Sequence, residues 1–300
     1  MCLRKISHLT ILEDRGIQAS NGSENQLPQF ITGRTGKKLY YHTWSVEKPR
    51  ARVIIVHGFA EHCLRYDRFA QKLNEIGLEV VGYDQQGHGR SEGSRAYTPS
   101  FNLSVENLEL LVNHLSDTLP TFLFGHSMGG LLAVMYCIDK NSKHLSGLIT
   151  SGALLKLDEE IPALLLHIVP ILSYLFPKLP TQPIEKKYVT SSESELKKYM
   201  EDPLIYRGGV KARVAYEMIR NVNYVRSKFG QVELPILVLH GDSDKLVNPA
   251  GSIQLYEKSS SVDKSLQLYE GFYHEILNEP NSELAINDIR EWVNTRLDRN

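Results

Sequence analysis

Directly after the apolar run Thr121-Phe122-Leu123-Phe124 the chain reads Gly125-His126-Ser127-Met128-Gly129-Gly130, then enters the helix-compatible stretch Leu131-Leu132-Ala133-Val134-Met135-Tyr136. A strand, a G-x-S-x-G turn and a helix in that order constrain the fold more than any other feature, because they describe a sharp turn that presents a serine nucleophile. Such a turn presses neighbouring backbone together and strains the serine, so side chains at Gly125 and Gly129 would obstruct it. Ser127 is the expected nucleophile. The start of the following helix adds a positive dipole end and the free N–H of Met128, both suited to a developing oxyanion.

Upstream and downstream, short runs such as Val53-Ile54-Ile55-Val56, Val80-Val81-Gly82-Tyr83, Gly147-Leu148-Ile149-Thr150, Ile236-Leu237-Val238-Leu239 and Ser265-Leu266-Gln267-Leu268-Tyr269 alternate with helical segments such as Tyr66 to Ile76, and a closing helix spans about Ala285 to Arg296. Runs that are apolar throughout suit strands covered on both faces, so the fold class is α/β with a mostly parallel central sheet flanked by helices. Gln29-Phe30-Ile31-Thr32 and Lys38-Leu39-Tyr40-Tyr41-His42-Thr43-Trp44 flank Gly33-Arg34-Thr35-Gly36 and predict an antiparallel hairpin at the start. Residues 1–26 are polar and read as a flexible leader. From about 152 to 231 no strand run appears, and Pro162, Pro170, Pro177, Pro180 and Pro183 break helical segments. That stretch reads as an inserted helical cap, or lid, between the two parts of the catalytic domain, 27–151 and 232–300. An insertion there lies beside the carboxyl ends of the strands, where open sheets bind ligands.

The 42% hydrophobic content supplies one large core, and a net charge of −1 leaves no basic footprint for nucleic acid. Cys2, Cys63 and Cys137 are too few and too scattered for a disulfide framework or a zinc site. With no signal-peptide pattern after Met1, the expectation is a cytoplasmic protein.

A serine hydroxyl needs a histidine to take its proton, and that histidine needs a carboxylate to fix its tautomer. In this topology the order is serine, acid, histidine. His274 follows the last strand run after the turn Glu270-Gly271-Phe272-Tyr273, which is where the base belongs. Asp242 and Asp244 both follow the strand Ile236 to Leu239, and spacing does not separate them. The strand end Val56-His57-Gly58-Phe59-Ala60 offers the Phe59 amide as the second oxyanion donor beside Met128. Gly87-His88-Gly89-Arg90-Ser91 reads as a structural loop.

Taken together, His57-Gly58-Phe59-Ala60-Glu61-His62 with Arg65-Tyr66, Asp84-Gln85-Gln86-Gly87-His88-Gly89-Arg90-Ser91, Gly125 to Gly130, Asp202-Pro203-Leu204, His240-Gly241-Asp242-Ser243-Asp244 and Tyr269 to His274 resemble the monoacylglycerol lipases and their lysophospholipase-like relatives among the serine α/β-hydrolases. The resemblance implies the α/β-hydrolase fold and an acyl-enzyme mechanism with no metal or organic cofactor. It implies Asp244 as the catalytic aspartate, three residues after the motif glycine, and oxyanion amides at Phe59 and Met128. It also implies that Glu61, Arg65, His126 and Tyr199 help hold the polar glycerol end of a monoacylglycerol or order its waters, while each also suits a structural role, Glu61 and Arg65 as an ion pair. Animal members carry a histidine where this chain has Leu277 and a cap cysteine where it has Tyr206, so the resemblance leaves the head group open. Lysophospholipase, other carboxylesterase and acyltransferase activities share the same triad, and a catalytically silent scaffold would lack it.

Ile161 to Phe176 is nearly all apolar but too short and too interrupted by proline to span a membrane. It suits either the lining of an acyl tunnel or peripheral contact with a membrane interface. Both readings expect a lipid or other ester substrate. Oligomeric state is not written in the sequence.

Overall fold

The chain enters its sheet through a hairpin, β1 (Gln29–Thr32) and β2 (Lys38–Trp44), paired antiparallel with Gln29 opposite Tyr41 and Thr32 opposite Lys38. Gly36, at φ 75°, supplies the left-handed position that closes the turn. The structure, a computed structural model, describes residues 28–140, 142–157, 163–181 and 183–298. The leader expected over 1–26, Cys2 included, lies outside the described residues, as do Ile161 and Pro162.

β2 pairs antiparallel with β4 (Leu78–Tyr83), and from there the strands are parallel: β3 (Ala51–Val56), β5 (Thr121–His126), β6 (Gly147–Ser151), β7 (Ile236–Gly241) and β8 (Lys264–Tyr269). The described residues form one eight-stranded sheet in the order β1-β2-β4-β3-β5-β6-β7-β8. The continuous apolar runs follow from a core on each side. In β3, Ile54 and Val56 enter one core while Val53 and Ile55 enter the other, and in β5 Leu123 faces the first while Phe122 and Phe124 face the second.

Helices α2 (Phe101–His114), α3 (Met128–Asp139) and α7 (Ala250–Lys258) contribute to the first core. Helices α1 (Asp67–Asn74) and α8 (Glu283–Leu297) close the second, with Phe69, Leu73, Ile286, Ile289 and Trp292. Chain order reverses at β3, which lies between β4 and β5, so the crevice beyond its C-terminal end is the switch point at which such sheets bind ligands.

Between β6 and β7 run α4 (Ala163–Leu175), α5 (Glu193–Glu201) and α6 (Ala212–Arg226). Pro170 does not break a helix as expected; it sits inside α4. One missing backbone bond is tolerated there because α4 packs against α6. Pro177 does mark the end of α4, and Pro180 pairs with Lys211 in an isolated bridge. α6 in turn rests on α3, and its Val214, Val222 and Val225 are continuous with the first core.

Candidate active site

Ser127 stands between the end of β5 and the start of α3 with φ 53° and ψ −121°, a conformation that costs a non-glycine residue about 1–3 kcal/mol. It is held there by its own amide, which donates to Ser151 O at 3.1 Å, and by its carbonyl, which accepts from Leu131 and Leu154 at 3.2 and 3.0 Å. The two glycines of the turn have no room for side chains. A Cβ at Gly129 would lie 2.0 Å from Val56 O, and one at Gly125 would lie 2.6 Å from Gly129 O.

The loops after β7 and β8 bring Asp244 and His274 together, with His274 Nδ1–H donating to Asp244 Oδ2 at 2.7 Å. With Nδ1 so engaged, Nε2 is the ring nitrogen left for Ser127, and both residues line one cavity. Among the described residues no hydrogen bond joins Ser127 Oγ to the ring, a contact that catalytic sites commonly close on binding substrate. Asp244 Oδ1 accepts from the amides of Leu246 and Val247 at 2.8 and 3.0 Å. Burial opposes its charge, but His274 and His240 outweigh burial and hold it well below the usual carboxylate range. Asp242, the competing aspartate, instead accepts from Gly271 N at 2.8 Å and stays in the turn.

His240, to which the motif alone assigns no role, sits behind the carboxylate. Its Nε2–H donates to the same Asp244 Oδ2 at 3.1 Å, while its Nδ1 accepts from Ser252 Oγ at 2.7 Å. Nothing local in the sequence marks it, since the Ser252 contact depends on how α7 docks.

The amides of Phe59 and Met128 donate to no group among the described residues, whereas Gly58 N beside them donates to Glu61 Oε1 at 2.6 Å. The loop that carries Phe59 is pinned from two directions. His57, fully buried, accepts from Gln85 N at 3.0 Å and donates to Gly58 O at 2.7 Å. From the inserted segment, Tyr206 N donates to Ala60 O at 2.8 Å and Asp202 Oδ2 accepts from His62 Nε2–H at 2.8 Å. Ala60 itself has φ 71°.

Glu61, Arg65 and Tyr199 also meet. Arg65 Nη1 donates to Glu61 Oε2 at 2.9 Å, Tyr66 OH donates to Glu61 Oε1 at 2.9 Å, and the Arg65 guanidinium lies 4.9 Å from the Tyr199 ring centroid. Burial works against the Glu61 charge, but Arg65 and the nearby imidazoles override it and bring its pKa to about 2. His126 Nδ1–H donates to Ser151 O at 2.9 Å, and its ring is 4.7 Å from that of His274. Burial, with His274 beside it, lowers its pKa to about 4, so it is neutral at pH 7. Glu275, which no local motif marks, completes the group by binding both Nη atoms of Arg65 at 2.5 and 2.7 Å. Leu277 is buried in the second core beside Ile276. The Gly87 to Ser91 loop is structural, as expected: Asp84 accepts from Arg90 N at 2.7 Å, and Ser91 Oγ accepts from Tyr40 N at 2.9 Å.

The sequence model of the family described as serine aminopeptidase, S33, matches residues 47–281. The chain belongs to this family of serine α/β-hydrolases. Over 279 residues the S33 chain is 31% identical to a monoacylglycerol lipase of Mycolicibacterium smegmatis, covering 92% of this chain and 99% of that protein. Over an equal length it is 32% identical to the monoglyceride lipase of Rattus norvegicus, covering 90% and 91% of the two chains. Among solved structures, the monoacylglycerol lipase of Paleococcus ferrophilus superposes with a TM-score of 0.79 at 28% identity, over 86% of this chain and 99% of that one. The resemblance drawn from the motifs therefore holds along nearly the whole S33 chain, which is a serine ester hydrolase.

Proposed function

We propose that this hydrolase cleaves monoacylglycerol to a free fatty acid and glycerol. The observation that carries the proposal is a cavity of about 310 Å³ at Ser127 whose lining combines apolar side chains, among them Leu154, Ile184, Val210 and Met218, with the polar group Glu61, His126 and Tyr199. An ester placed at Ser127 would have its acyl chain among the former and its glycerol among the latter.

His274, oriented by Asp244, takes the Ser127 proton as the oxygen attacks the ester carbonyl, and the Phe59 and Met128 amides stabilise the oxyanion. The proton passes to the departing glycerol oxygen. Water, deprotonated by the same imidazole, then attacks the acyl-enzyme and releases the fatty acid, and the proton returns to Ser127. Glu61, His126 and Tyr199 hold the glycerol end, and Arg65 fixes Glu61 and Tyr199 in place.

Residues 152–231 act as the cap over this cavity, which Ile184, Glu185, Tyr188, Val189 and Tyr199 help to line. No described helix is long and apolar enough to cross a membrane. The outer face of α4 and the residue after it nevertheless expose Ile171 at 59%, Tyr174 at 80%, Leu175 at 58% and Phe176 at 58%, while Val169 and Ser173 turn inward. That face is suited to peripheral contact with a lipid surface by a cytoplasmic enzyme.

The test is a hydrolysis panel of monoacylglycerols, lysophospholipids and short aryl esters. Preference for monoacylglycerol is expected, and preference for lysophospholipid would overturn the substrate. Ser127→Ala should abolish both turnover and fluorophosphonate labelling; labelling that persists removes Ser127 as the nucleophile.

A further inference from the structure

Among the polar members of the cavity lining, Glu61, Tyr199 and Glu275 gather around Arg65. Arg65 is committed to the protein. Nη1 donates to Glu61 at 2.9 Å and to Glu275 at 2.5 Å, Nη2 donates to the other Glu275 oxygen at 2.7 Å, and the guanidinium lies against Tyr199. Glu275 is fixed in turn, since its amide donates to Val189 O at 2.8 Å and its Oε2 accepts from Asn278 Nδ2 at 2.8 Å. Side-chain exposures of 4%, 10% and 8% for Glu61, Arg65 and Glu275 leave little water to screen the three charges.

Two carboxylates therefore share one guanidinium, and one negative charge is left over at the polar end. The remaining ring nitrogen points to the same chemistry. Because His126 Nδ1–H donates to Ser151 O, its Nε2 is an acceptor. Two carboxylates with surplus negative charge and an acceptor ring nitrogen complement a head group that brings hydroxyl donors, and the surplus charge repels one that brings a phosphate. Elsewhere on the lining, Glu185 is paired with Lys187 at 3.2 Å, and Lys245 lies 4.9 Å from the centroid of the Tyr188 ring.

We propose that Glu275 is a specificity-determining residue, which by engaging Arg65 and leaving the polar end one carboxylate in excess selects uncharged hydroxyl-bearing head groups and rejects phosphate-bearing ones. The proposal rests on the reading of this cavity as a monoacylglycerol site and names the residue that sets its charge preference.

The experiment compares wild type and Glu275→Gln on monooleoylglycerol and oleoyl lysophosphatidic acid in the same detergent. The ratio of kcat/KM for the neutral over the anionic substrate should fall by about tenfold or more in the variant, whatever happens to its absolute rate. An unchanged ratio overturns the proposal, because loss of structure alone would depress both substrates together. Binding of lysophosphatidic acid to Ser127→Ala with and without Glu275→Gln, measured by calorimetry, provides a readout that needs no turnover. It should tighten about tenfold, and equal affinities would again overturn the assignment. Wild type that leaves monooleoylglycerol intact would sink the substrate reading instead, while the calorimetric comparison still reports on Glu275.

Discussion

His240 and His274 donate to one and the same oxygen, Asp244 Oδ2, at 3.1 and 2.7 Å. The proposed triad carboxylate is thus held from behind by a wholly buried imidazole that Ser252 orients. A hydrogen bond to a charged group contributes about 1.5–3 kcal/mol. If that much orientation is lost in His240→Leu, kcat should fall by about ten- to a hundredfold with KM little changed. Steady-state kinetics check this, and an unaltered kcat in a folded variant would deny His240 any positioning role.

The pH profile follows from the same group of residues. Burial lowers the His274 pKa, but the charge and hydrogen bond of Asp244 outweigh burial and raise it above 6.5. Only the neutral ring can accept the Ser127 proton, so kcat/KM should rise with pH through a midpoint above 6.5. Stability runs the other way for this residue: its contribution is complete below pH 6.5 and is lost as pH rises through the raised pKa. For Asp244, whose pKa is lowered, the contribution is present above about pH 4 and is lost as pH falls through the folded-state value. Asp244→Asn should move the acid limb of the rate profile to lower pH and reduce kcat by about 10⁴-fold. A limb that stays in place would assign it to another group.

The outer face of α4 separates two kinds of substrate presentation. Each of Ile171 and Leu175, moved from water into a lipid interface, is worth about 1–2 kcal/mol. Ile171→Ser with Leu175→Ser should therefore lower the rate on monoacylglycerol in vesicles by about tenfold or more and leave hydrolysis of a dissolved short-chain ester unchanged. Equal losses on both would place the effect on folding or on the cavity.

The parts of this molecule that could be read from the sequence are those whose physics is local. The turn at Ser127 announces itself through Gly125 and Gly129 because backbone passes within contact of each, and β3 reads as one apolar run because successive residues enter different cores. Asp244 and Asp242 were inseparable by spacing, since what distinguishes them is which carboxylate reaches His274 and which caps Gly271. Arg65 and Glu275 lie 210 residues apart, so their pairing leaves no local trace. Pro170 misled because a helix packed against a neighbour tolerates a missing bond that an isolated helix would not.

The loop bearing Phe59 takes two of its fastenings, Tyr206 N to Ala60 O and His62 to Asp202, from the segment inserted between β6 and β7. A chimaera that imports the insertion of a relative to alter acyl-chain preference would therefore also replace part of the scaffold of the proposed oxyanion site. Grafts that retain Asp202 and the backbone path through Tyr206 would change selectivity at constant turnover chemistry, and grafts cut without regard to them would lose rate for reasons unrelated to substrate fit. The insertion and the Phe59 loop are thus one mechanical unit, which limits how freely new specificities can be recombined into this chain.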